Sequence, residues 1–114
     1  MPYVYEVSFD LPPDRMAEIE IGHSLERLVG YMKTRLPSQR GFVYTHAVYS
    51  VDDPDAVRVV LRSEWSDWGD VKLHRQSELL EDSLLHEFEP HIAKEDITTR
   101  TYAEVGSGPL SAKR

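Results

Sequence analysis

A histidine, a tyrosine–histidine pair and a strand-end tryptophan are the residues of this 114-residue chain best suited to chemistry. His74 follows Val71 by three positions and Trp68 by six, which sets all three on a similar side of a helix. Beside a pocket, its imidazole can take a proton near neutral pH or bind haem iron. Away from one, it ends a helix with a hydrogen bond to backbone or carboxylate. Tyr44 and His46 are two apart, so on a regular strand they share a face. A phenol and an imidazole side by side would orient a phenolic or quinone ligand, or serve as polar residues of an interface or core. Trp65 shares its face with Leu61 and Val59. It either walls a pocket and stacks on a flat ligand, or plugs the end of the sheet as a core aromatic.

Other chemistries are excluded or disfavoured. The chain has no cysteine, hence no disulfide, thiolate metal site or cysteine nucleophile. His86 and His91 are five apart, and a metal pair on a helix needs three or four, so no metal site is expected there. There is no P-loop, dinucleotide glycine fingerprint, nucleophile elbow or zinc signature. The formal charge of −7 repels phosphate backbones and anionic lipid, which argues against nucleic-acid and membrane partners. The N-terminus reads as a strand rather than a secretion signal, and no stretch is apolar enough to span a bilayer. A cytoplasmic location is expected.

The elements that position these residues follow from periodicity. Residues 3–9 alternate, with Tyr3, Tyr5, Val7 and Phe9 on one side, and read as a strand stopped by Pro12-Pro13. A helix ends near Leu36, with a stripe of Leu25, Leu28, Val29, Met32 and Leu36. Met16 and Ile19 allow an earlier start, which Gly22 weakens. Residues 42–51 and 56–65 form an antiparallel hairpin across a turn rich in aspartate. Ser66 or Asp67 caps a helix to about Gln76. Another follows from near Ser77, with Leu80, Leu84, Leu85, Phe88 and Ile92 on its buried face and Pro90 bending or ending it. A last strand covers 97–105, and 106–114 is a tail expected to fray.

This order predicts an α+β, ferredoxin-like βαββαβ domain over residues 1–105, a four-stranded antiparallel sheet with helices on one face. Every strand carries apolar or aromatic residues in both parity sets, such as Val60 against Leu61 and Tyr102 against Ala103. The sheet face away from the helices therefore predicts a homodimer, with Arg100 and Tyr102 at its interface. Arg58, Arg62, Glu64, Arg100, Glu104 and Glu6 alternate with the apolar set and read as a ladder of ion pairs.

Several local signatures resemble the antibiotic biosynthesis monooxygenase family of dimeric α+β barrels. They are Arg40-Gly41-Phe42 entering the second strand, Ser63-Glu64-Trp65 closing the third, and His74 followed by Ser77. Phe88-Glu89-Pro90 and Thr99-Arg100-Thr101-Tyr102 complete them, so that the resemblance spans residues 3–105. It implies sheets packed face to face and a pocket between each sheet and its own helices. Some members oxidise polycyclic aromatic molecules with dioxygen and no cofactor, others cleave haem, and others act in quinone or signal metabolism. On this reading Trp65, Leu61, Trp68 and Phe88 line the pocket, and His74, Tyr44 or His46 moves a proton. The ligand is a small apolar or aromatic molecule. No cofactor is expected, with haem on His74 as the alternative. The oxidising and haem-degrading members use a pocket asparagine. This chain contains none, and Leu61 stands four residues before Trp65, where the anthrone oxidisers carry it. A non-catalytic ligand-binding or structural dimer is the second reading.

Overall fold

The computed structural model describes residues 2–89 and 91–106. Strand β1 (Tyr3–Leu11) leads through a 3-10 turn at Pro13–Ala17 into helix α1 (Ile19–Arg35). The hairpin follows as β2 (Phe42–Tyr49) and β3 (Val57–Trp65), then α2 (Trp68–Ser77), α3 (Leu79–Phe88) and β4 (Thr98–Ala103). All pairings are antiparallel and the strand order is β2-β3-β1-β4. This is the βαββαβ arrangement the sequence predicts. Pro90 and most of the expected tail, residues 107–114, lie outside the described residues.

Alternation decides which face the helices cover. On β1, Tyr5, Val7, Phe9 and Leu11 are buried, and on β3 Val59, Leu61, Ser63 and Trp65 are. Helices α1 and α3 close the core with Ile21, Leu28, Met32, Leu80, Leu84 and Phe88. Each such side chain contributes about 1.5–3 kcal/mol by leaving water. Leu25, Val29 and Leu85, expected on the buried stripes, are only half-buried. Ile21 takes a core position instead, because α1 starts early enough to present it. Gly22 is helical after all, with open space around it.

Two breaks in regularity aim the site. A bulge between Phe42 and Tyr44 inserts Val43 into β2. It leaves Phe42 beside Trp65 on the helix face and turns Tyr44 to the open face, opposite Glu64. At Glu78 the backbone enters the left-handed region (φ 51°), which ends α2 and starts α3 in a new direction. Asp67 caps α2 by accepting from the Asp70 amide at 3.1 Å.

The start of α2 is tied to the entry of β2. Asp70 is buried, pairs with Arg40 at 3.1 Å and accepts from Ser66 Oγ at 3.1 Å. Gly41 has φ +81°, and a Cβ there would overlap the Asp70 carboxylate. Both the conformation and the contact require glycine. Gly41→Ala should therefore cost about 2 kcal/mol or more in urea unfolding. Gly22→Ala, in open helix, should be neutral or stabilising by up to about 1 kcal/mol.

Candidate functional site

The proton-transfer candidates are divided by the sheet. His74 lies on the helix side and is buried. Tyr44 and His46 lie on the open face, ring centroids 5.5 Å apart, with Glu6, Arg62, Glu64 and Tyr102 around a depression of about 500 Å³. They share a face as their spacing implies, but they cannot meet a ligand held beside His74. Arg100 and Tyr102 are on this open face too, paired in register with Glu6 and Val4.

Trp65 is closed off from solvent. It is 0 % exposed, its indole N–H donates to Ser63 Oγ at 2.8 Å, and its ring stacks on His74 at 4.4 Å and 23°. Leu61 and Phe88 are buried with it in the core. The expectation that these three line a pocket meets a packed interior: the alternating set that carries them is the set the helices cover. Trp68, in contrast, is 46 % exposed at the first position of α2, with its ring against Tyr3 at 5.6 Å.

His74 is held in one orientation. Its Nδ1 lies 2.6 Å from Gln39 Oε1, which accepts the Nδ1 proton and leaves Nε2 as a bare lone pair. Nε2 is buried and has no partner among the described residues. Desolvation lowers the pKa of His74 to about 4, so it is neutral at pH 7. With no accessible surface at Nε2, iron cannot reach it in this arrangement, and the residues do not fit a haem site.

An open cavity of about 490 Å³ does lie on the helix side, between α2, the start of α3, β1 and β4. Tyr5 lines it from the sheet, Thr99 from β4, Trp68, Lys72, Arg75 and Gln76 from α2, and Glu78 and Glu81 from the junction with α3. Tyr5 Oη donates to Glu81 Oε2 at 2.7 Å. Burial, and then that hydrogen bond, push the phenol above its ordinary range, while Thr99 and Arg75 oppose the rise. Tyr5 is therefore a neutral donor. Glu81 Oε1 is buried, with no partner among the described residues. The Tyr5 ring meets His74 edge-on at 5.3 Å and 85°, so the phenol stands at the junction of cavity and buried stack.

Tyr5 and Glu81 are the functional candidates that the sequence reading did not single out. They are 76 residues apart, and no local spacing joins them. The available signal was a phenol in the same parity set as Val7 and Phe9, since a buried tyrosine hydroxyl needs a partner.

No protein-family model matches the chain, and no curated protein is significantly similar to it. Solved structures share its fold. A Nitrosomonas europaea protein described as a candidate antibiotic biosynthesis monooxygenase superposes with TM-score 0.62 at 16% identity, over 91% of this chain and 90% of that one. SnoaB, a cofactor-independent oxygenase from Streptomyces nogalater, gives 0.61 at 12% identity, over 95% and 97%. A dimeric ferredoxin-like protein from an uncultured marine organism gives 0.66 at 10% identity, over 95% and 100%. The resemblance read from the sequence is thus borne out as a fold: the α+β ferredoxin-like domain of structures named antibiotic biosynthesis monooxygenases. Among the described residues no helix is long and apolar enough to cross a membrane.

The buried neutral imidazole makes stability depend on pH. The folded pKa, about 4, lies below the ordinary value of 6.5, so the unfolded chain takes up the proton first. The stability from a neutral His74 is fully present above pH 6.5 and is lost as pH falls toward 4. Between pH 7 and about pH 4.5, wild type should lose about 2 kcal/mol more in urea unfolding than His74→Gln. Parallel losses in both proteins would contradict this.

Proposed function

We propose that the chain is a homodimeric small-molecule-binding protein whose ligand is a planar aromatic or quinone-like molecule, taken into the cavity lined by Tyr5, Glu81 and Trp68. The observation that carries this reading is the Tyr5–Glu81 pair at 2.7 Å beside an open cavity. Trp68 offers an exposed indole face on which a flat ring can stack. The cavity is within the usual range for a small-molecule site.

Cofactor-independent oxygenation is the activity to which the likeness to SnoaB points. In this reading the proton acceptor for such a step is Glu81, which lines the cavity where His74 does not, while Tyr44 and His46 are across the sheet. Tyr5 would turn its one O–H from Glu81 to an oxygen on which negative charge develops, and that turn frees Glu81 Oε2 to take the proton. Glu81→Gln keeps the shape and removes the base, so it should lower oxygen uptake with an anthrone by about 10²-fold or more. The absence of any asparagine favours a second reading, a ligand-binding dimer without turnover. Wild type that binds the anthrone and consumes no oxygen would establish it.

The dimer reading rests on the open sheet face, where Tyr44, Val48 and Tyr102 are each 44–55 % exposed. A neighbour of the same fold is described as dimeric, which supports it. Light scattering should give twice the chain mass of 13.1 kDa. Tyr102→Ala should weaken association about tenfold or more, while Lys33→Ala on the helix side leaves it unchanged.

The two tryptophans separate the cavity from the core. Adding an anthraquinone should quench emission, and Trp68→Phe should remove most of that response while Trp65→Phe keeps it. The opposite pattern would place the ligand against Trp65 and refute the cavity assignment.

A further inference from the structure

The cavity under α2 and α3 is lined by charges of both signs. Four charged side chains line it, Lys72, Arg75, Glu78 and Glu81. Each carboxylate has one partner: Glu81 Oε2 accepts from Tyr5 at 2.7 Å, and Glu78 pairs with Lys94 at 3.6 Å. Lys72 and Arg75 make no ion pair among the described residues. They are exposed and three apart on α2, which places them as neighbours on one face of the helix. Arg75 is close enough to the Tyr5 phenol to oppose the rise of its pKa. In a chain of net charge −7, this wall offers two unspent cations beside an exposed indole.

Depth sets the direction in which a ligand can lie. Tyr5 is 2 % exposed and forms the floor with Glu81, whose carboxylate repels an anion there. Lys72 and Arg75 stand at the rim, where an anion can keep part of its hydration. Because Glu78 and Glu81 share the wall, a single negative charge fits this balance better than a dianion.

We propose that the ligand is an aromatic carboxylate, its ring against Trp68 and its carboxylate at the rim between Lys72 and Arg75. This names the ligand class for the cavity proposed above and rests on that reading. Planar Arg75 suits a carboxylate in two-point contact, and Lys72 adds a second charge.

Paired probes test it: anthraquinone-2-carboxylate and anthraquinone-2-carboxamide, which share a ring system and differ in charge. Each is titrated into the intact protein while tryptophan emission is followed. Wild type should bind the carboxylate about tenfold more tightly, the scale of two partly exposed ion pairs. In the Lys72→Gln/Arg75→Gln double variant the preference should fall to within about twofold, because the carboxylate loses more affinity than the carboxamide. Each single variant should lose part of it. Raising the salt from about 50 mM to about 500 mM should also reduce the preference. Equal affinities in wild type, or a preference that survives the double variant, would overturn the carboxylate assignment and leave the cavity reading standing. Failure of both probes to bind would remove the cavity reading with it.

Discussion

The packing of neutral His74 on Trp65 is the contact on which the rest of this structure depends. It seats α2 on the end of the sheet, where Trp65 closes β3. The imidazole can be buried only without charge, because removing an unpaired cation from water costs far more than any stacking returns. Gln39 meets one ring nitrogen and Ser63 meets the indole N–H, so the stack is supported from the α1–β2 turn and from β3 together. The Asp70–Arg40 pair and the close approach of Gly41 fix the same helix one turn earlier. Between them they leave α2 little freedom to slide.

That seating determines which groups remain for a ligand. With Trp65 and His74 packed against each other, Tyr5 and Glu81 are the hydrogen-bonded pair that lines the cavity next to them. The edge-on contact of Tyr5 with His74 holds the phenol where the interior gives way to the cavity. The left-handed break at Glu78 reorients the chain into α3 and brings Glu81 over β1. A continuous helix through residues 68–88 would carry it elsewhere.

The two faces of the sheet divide the work. One is filled by aliphatic and aromatic side chains under the helices. The other mixes apolar residues with opposite charges, Arg62 to Glu6 at 3.4 Å and Arg58 to Asp10 at 3.2 Å. These exposed pairs contribute little to stability, about 0–1 kcal/mol each. On a face that meets a partner they would instead set register and orientation.

Periodicity along the sequence was enough to determine the elements, their order and the antiparallel hairpin, because alternation and helical stripes are local consequences of where side chains point. The same alternation showed that Tyr44 and His46 share a face and that Arg100 and Tyr102 do so. It could not say that Tyr44 and His46 lie across the sheet from His74, since parity sorts residues into two sets without naming the covered one. The bulge at Val43 and the early start of α1 shifted individual side chains by the register of distant partners. From the sequence Trp65 could be a core plug or a pocket wall, with the core plug favoured, and the decision belonged to a histidine from another element, nine residues on, that stacks on it. Tyr5 and Glu81 become a pair only when β1 and α3 are brought together. A hydrogen bond between residues 76 apart depends on tertiary packing and leaves no pattern in the chain.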